Sequence, residues 1–175
     1  HDLEWLIHMD VDEFLWCDAD IGGCLAGLPD TVQAARLRPA EALAGGDGTA
    51  YKAFIPPGPA RRATVSRLYP EFGDHIKGGF LSHVAGKLFL RTGLPDLSVR
   101  IHNAFLPDDA KPDETDESRI CLLHRHAKDW DTWIASYRYR LQSGSYRSDL
   151  SPAIPRERGG MTLHELFSHI EAQDG

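Results

Sequence analysis

Asp10 and Asp12 stand two residues apart at the end of an apolar run, within Trp5-Leu6-Ile7-His8-Met9-Asp10-Val11-Asp12-Glu13-Phe14-Leu15. Residues two apart on a strand share a face, so both carboxylates can aim at one point. Two carboxylates brought together are stable only if a cation lies between them or one of them takes up a proton. A hard ion such as Mg²⁺ or Mn²⁺ meets that need, because it prefers oxygen ligands and keeps part of its shell for substrate phosphates. Glu13 either supports the pair from behind or points to solvent, while Phe14 and Leu15 lock the turn into the core. Five of the nine histidines, His8, His83, His102, His124 and His126, fall where strands are expected to end. The His124-Arg125-His126 spacing presents two imidazoles on one side, toward a metal or a phosphate. Lys87 and Arg91, four apart on an expected strand, share a face and form either a clamp for a diphosphate or a solvated surface.

These groups need elements to position them. Trp5, Leu6, Ile7 and Met9 suit a buried strand, and strand ends are where ligands of open α/β sheets bind. Gly22-Gly23 and Leu28-Pro29-Asp30 bracket a helical turn, and Thr31 to Arg38 reads as a second strand ending at Pro39. From Pro39 to about Pro70, Gly45-Gly46-Asp47-Gly48 and Pro56-Pro57-Gly58-Pro59 predict a long irregular connection, a length typical of lids and binding loops. His83 to Arg91 and Leu97 to His102 read as a hairpin or adjacent strands. Asp108 to Glu117 is expected to be a solvated loop, and Ile120 to Leu123 a strand with His124 at its end. Trp130, Trp133, Ile134, Tyr137 and Leu141 recur at helical spacing over Lys128 to Ser143, as do Leu163, Leu166, Phe167 and Ile170 over Met161 to Ala172. The expected class is α/β, a single domain over 1–175 with a helical C-terminal part over 128–175.

With 175 residues and 42% apolar content the chain can bury a real core. A formal charge of -7 argues against a generic phosphate-backbone binder, so no nucleic-acid partner is expected. Three cysteines, Cys17, Cys24 and Cys121, form no C-x-x-C pair and predict neither a disulfide framework nor a zinc knuckle, which points to a reducing compartment. No apolar stretch approaches the roughly 20 residues of a membrane-spanning helix.

The segment Trp5 to Leu15 closely resembles the W-x-x-x-x-D-x-D-E-F-L segment of bacterial family-2-like glycosyltransferases of the GT-A fold. Gly86-Lys87 with Arg91, then Arg100-Ile101-His102-Asn103, then Leu123-His124 before a Trp- and Tyr-bearing helix are similar to later blocks of that family. Where the family often reads His-Tyr with a Lys-Ser pair, this chain has His124-Arg125-His126-Ala127-Lys128. The resemblance implies the C-terminal portion of a GT-A-like (Rossmann-like) mixed sheet with flanking helices. It also implies that a nucleotide-binding portion of about one hundred residues precedes the D-x-D strand. By position, Asp10 and Asp12 would hold Mn²⁺ or Mg²⁺, with Asp12 the direct ligand and His124 the third ligand, His102 in reserve. Asp10, Lys87 and Arg91 would meet the donor diphosphate.

The implied reaction moves a sugar from a nucleotide-sugar donor to a glycan or a lipid-linked or polysaccharide acceptor, in the cytoplasm or at the inner membrane. An inverting enzyme needs a carboxylate to accept the acceptor's proton, and Asp74, Glu71 and Asp96 are the candidates, Asp74 first for its place before Gly78-Gly79. A haloacid-dehalogenase-type phosphatase also sets D-x-D after an apolar strand, but Phe14 stands where that motif has Thr or Val. A non-catalytic, metal-stabilised carbohydrate-binding fragment is the remaining alternative.

Overall fold

A computed structural model describes residues 3–52, 54–143 and 151–174. The described chain is mixed α/β, with two mixed four-stranded sheets, a two-stranded hairpin and four α-helices. The first sheet contains β1 (Trp5–Ile7), β6 (Lys87–Arg91), β3 (Ala34–Leu37) and β9 (Glu114–Asp116), in that order. In the second, β2 (Glu13–Cys17), β10 (Ile120–His124), β4 (Pro39–Ala42) and β5 (Tyr51–Lys52) lie side by side. In each sheet one pairing is parallel, β3 with β9 and β4 with β10, and the other two are antiparallel. The chain crosses from the first sheet to the second three times, from β1 to β2, β3 to β4 and β9 to β10. Ends of neighbouring strands from both sheets are thereby brought to the same place.

The main core contains Leu37, Ala35 and Phe89 from one sheet and Ile120 and Leu122 from the other. Cys24 and Leu25 of α1 (Ile21–Ala26) close it, with Trp5, Ile7 and Leu15 packed around. Leu37 and Leu122 are fully buried, each worth roughly 1.5–3 kcal/mol of apolar transfer. Asp20 caps α1 by accepting from the Gly23 N–H at 2.6 Å. The thiols of Cys17 and Cys24 form no disulfide and are in hydrogen-bond contact at 3.7 Å.

Helices α3 (Trp130–Gln142) and α4 (Leu163–Asp174) meet through Tyr137 and Phe167, whose rings are 4.2 Å apart, with Ile134 and Trp133 beside them. Asp129 caps α3 through the Thr132 N–H at 2.8 Å. Thr162 and Glu165 close α4 as a reciprocal capping box, at 2.8 and 3.2 Å. Bonds from the Thr162 amide, Arg156 and the Thr162 hydroxyl hold the Glu165 carboxyl down to about 2. No described helix is long and apolar enough to cross a membrane.

Four expectations change. Pro39 does not end the extended run: it opens β4, since a proline is tolerated as the first residue of a strand. The region Pro39 to Pro70 accordingly holds β4, β5 and α2 (Arg61–Leu68) as well as loops. The strand expected from His83 begins only at Lys87, because Gly86 takes a φ of +72° where a Cβ would lie 1.9 Å from the Leu37 carbonyl. Its neighbours are β1 and β3; β7 (Ser98–Val99) pairs instead with β8 (Ala104–Phe105). The acidic segment Asp108 to Glu117 contains β9, docked on β3 because Arg36, itself buried, meets the Glu114 carboxylate at 2.5 and 2.9 Å.

Candidate metal centre and cavity

The D-x-D segment is a sheet-to-sheet crossing, and that fixes where its carboxylates go. The Glu13 N–H donates to the Asp10 carbonyl at 3.1 Å while the Asp10 N–H donates to Glu13 Oε2 at 2.8 Å, closing a tight turn between β1 and β2. Asp10 and Asp12 are thus not alternate residues of one strand, and their carboxylates have different partners. Asp10 Oδ2 accepts from Lys87 Nζ at 2.8 Å. Asp12 Oδ2 lies 3.4 Å from His124 Nε2, and the Arg125 N–H donates to the Asp12 carbonyl at 2.9 Å, tying that side of the turn to the end of β10.

Pairing of β2 with β10 sets Glu13 opposite His124, and pairing of β10 with β4 sets His124 beside Glu41. Glu41 in turn accepts from the Leu81 and Ser82 amides at 3.1 and 2.7 Å and pairs with Lys52, fixing the loop that carries His83. Burial works to raise the Glu41 carboxyl, but the Lys52 ammonium and the bonds from Lys52 and Ser82 outweigh it and leave it below its ordinary range. The His83 ring lies 5.4 Å from that of His124, and His126 5.3 Å from it on another side.

Two sets of ligand atoms each fall within 4.8 Å of one another: Asp12, His124 and His126, and Glu13, His83 and His124. Imidazole and carboxylate donors of this kind bind divalent transition ions. Burial, then the neighbouring His102, His124 and Lys87, push the His83 ring down to about 3. Burial likewise lowers His126, with His124 adding to it. Both rings are therefore neutral at neutral pH, the form that binds a metal. A cavity of about 1030 Å³ opens beside the cluster, lined by Asp10, Asp12, His83, His124 and His126 and also by His75, Lys77 and Arg140.

Of the residues expected from sequence, Asp12 and His124 come together and Asp10 lies beside them, turned to Lys87. That hydrogen bond lowers the Asp10 carboxyl against the opposing effect of burial. Lys87 has no solvent exposure and lies under the turn, paired with Asp10 and 3.5 Å from Glu13 Oε2, so its charge is met by protein carboxylates. Arg91 stands at the other end of β6, about 13 Å along the strand. There its guanidinium covers Trp5 at 4.4 Å, pairs with Glu4 at 2.5 Å and donates to the Val32 carbonyl at 2.8 Å. It does not line the cavity.

His102 belongs to neither ligand set: its Nδ1 is 3.1 Å from the Gly86 carbonyl and its ring packs on His83 at 3.8 Å. Asp74 accepts from Ser66 Oγ at 2.9 Å and meets Arg62 at 3.4 Å, bonds that hold its carboxyl below the usual range. Its neighbour His75, and not Asp74, lines the cavity, as do neither Glu71 nor Asp96. Spacing left Glu13 open between support of the pair and solvent, whereas the structure buries it; spacing named His83 only among the strand-end histidines, and gave Glu41 no role. The pairing of β2 with β10 brings in Glu13, that of β10 with β4 brings in Glu41, and the loop before β6 carries His83, at which only the count of histidines at strand ends hinted.

No protein-family model, no curated protein and no solved structure matches this chain.

Proposed function

We propose that the chain is a metal-dependent glycosyltransferase, or the metal-bearing part of one, that moves a sugar from a nucleotide-sugar donor to a hydroxyl of a glycan or of a lipid-linked or polysaccharide acceptor. In this reading the two mixed sheets are the C-terminal portion of a GT-A-like fold. The observation that carries it is the meeting of Asp12, from the D-x-D-E-F-L segment, with His124 and His126 at the wall of the large cavity. Asp12 and His124 lie in the segments whose resemblance to the family implied a shared metal shell, whereas His126 stands where this chain departs from the family pattern. Between the two ions the resemblance implied, the imidazoles favour Mn²⁺ over Mg²⁺.

Asp12, His124 and His126 would hold the ion, which supplies Lewis-acid chemistry to the leaving diphosphate. Lys87 keeps Asp10 ionised at the cavity wall, within the same field. Lys77 also lines the cavity, where a cation suits the phosphate charge of a donor. The unpaired cysteines fit a reducing compartment, so we place the reaction in the cytoplasm, at the inner membrane when the acceptor is lipid-linked.

Calorimetric titration of UDP, then GDP, with and without Mn²⁺ tests the reading. Nucleotide binding that requires Mn²⁺ and weakens by about tenfold or more in Asp12→Asn is the expected result. Nucleotide binding indifferent to Mn²⁺, or Mn²⁺ binding with neither nucleotide following, would count against it.

A further inference from the structure

Behind the Asp12 group lies a second, deeper set of donors with unmet bonding capacity. The Glu13 side chain has no solvent exposure. Its Oε2 is occupied by the Asp10 amide and faces Lys87, but its Oε1 is buried without a hydrogen-bond partner. Both ring nitrogens of His83 and Nδ1 of the buried His124 are in the same condition. A buried polar atom left unbonded costs on the order of 1–3 kcal/mol, and here several such atoms converge. Glu13 Oε1 and His83 Nε2 are 3.6 Å apart, too far for a good hydrogen bond. That separation is close to the roughly 3.4 Å between ligand atoms around a tetrahedral ion with bonds of about 2.0–2.1 Å.

We infer that Glu13, His83 and His124 form an inner seat for a divalent transition ion of the zinc class, with a further coordination position open toward the cavity. Two imidazoles and one carboxylate are the donors of catalytic zinc and related sites, and they discriminate against Mg²⁺. Lys87 and the Asp10 amide hold Oε2, so Glu13 coordinates through Oε1 alone, and His102 braces the His83 ring from behind. Charge favours the ion: the carboxylates of Asp10, Asp12 and Glu13 surround the cluster, and Lys87 pairs with two of them. His83 and His124 line the cavity and Glu13 does not, which places the open position on the cavity side. The seat shares His124 with the outer group of Asp12, His124 and His126, so the two are alternative positions for one ion.

Zn²⁺ affinity of the full chain, stripped of metal and followed by competition with a chromogenic chelator, tests the seat, with Co²⁺ absorption reporting the ligand field. One equivalent of Zn²⁺ is expected to bind, undisplaced by a large excess of Mg²⁺, and Co²⁺ to show the visible bands of a four- or five-coordinate ion. Glu13→Gln and His83→Gln should each weaken Zn²⁺ binding by about 100-fold or more, while His169→Gln, an exposed histidine outside both ligand sets, leaves it unchanged. His83 lies on a loop and is partly exposed, so His83→Gln preserves the test if Glu13→Gln fails to fold, with circular dichroism as the control. Absence of Zn²⁺ binding by the folded chain overturns the inference. So does loss of binding in His126→Gln with His83→Gln unaffected. No nucleotide enters the measurement, so failure of the glycosyltransferase reading does not alter its outcome.

Discussion

Lys87 carries an ammonium with no solvent exposure, set between the Asp10 carboxylate at 2.8 Å and Glu13 Oε2 at 3.5 Å. Removing one partner of a buried ion pair leaves the other charge uncompensated, which typically costs about 3–5 kcal/mol. Lys87→Met should therefore lower the free energy of unfolding by that amount in urea titration, and Glu13→Gln/Lys87→Met should recover part of the loss. A single variant within about 0.5 kcal/mol of the wild type, the range of neutral surface substitutions, would show that the pair contributes little. Sequence spacing left Lys87 open between a diphosphate clamp and a solvated face, and the family resemblance set it against the donor's phosphates. A run such as Gly86-Lys87-Leu88-Phe89-Leu90-Arg91 gives no sign that two carboxylates from another strand's end will already be waiting. Asp12 and His124 were legible because each sits at the end of its own apolar run, where a side chain has few places to go.

At the scale of elements, β4 organises the site without contributing to either ligand set. Glu41 on that strand holds the Leu81 and Ser82 amides and pairs with Lys52, which steadies the loop leading to His83. Glu41→Ala strips two part-buried amides of their acceptor and Lys52 of its carboxylate, leaving the ammonium only the Gly79 carbonyl at 3.2 Å. A loss of about 3 kcal/mol or more is expected. Amide exchange at Leu81 and Ser82 should accelerate well beyond that of β10. Equal acceleration throughout the chain would mean that Glu41 supports the fold at large and not the loop. This strand was hidden in the sequence by Pro39, which reads as a stop when only the preceding residues are considered. Similarly, Glu114-Thr115-Asp116 reads as solvated loop until the buried Arg36 supplies its counter-charge. The first strand, β10, α3 and α4 were legible because their apolar periodicity is continuous and local, whereas β4 and β9 exist through partners distant in sequence, and the two-residue β5 exists only through β4.

For the molecule as a whole, burial of several imidazoles at one place couples the site to global stability. Burial lowers the rings of His83, His102 and His126, with nearby positive groups adding to the effect, and brings His83 to about 3. Their unfolded value is 6.5, so between that value and the folded ones the unfolded chain binds more protons than the native state. Native stability supported by these rings is complete above about pH 6.5 and declines as the pH falls toward the folded values, by up to about 1.4 kcal/mol per pH unit for each proton. Asp10 and Glu41, whose carboxyls are also lowered, act only below about pH 4–5. The metal-free protein should thus weaken in urea already between about pH 6.5 and 5, before carboxylate protonation becomes important, and His83→Gln should flatten that slope. A midpoint constant across this interval would mean that the rings take up protons in the native state as readily as in the unfolded one, and that the cluster is far better solvated than its burial indicates.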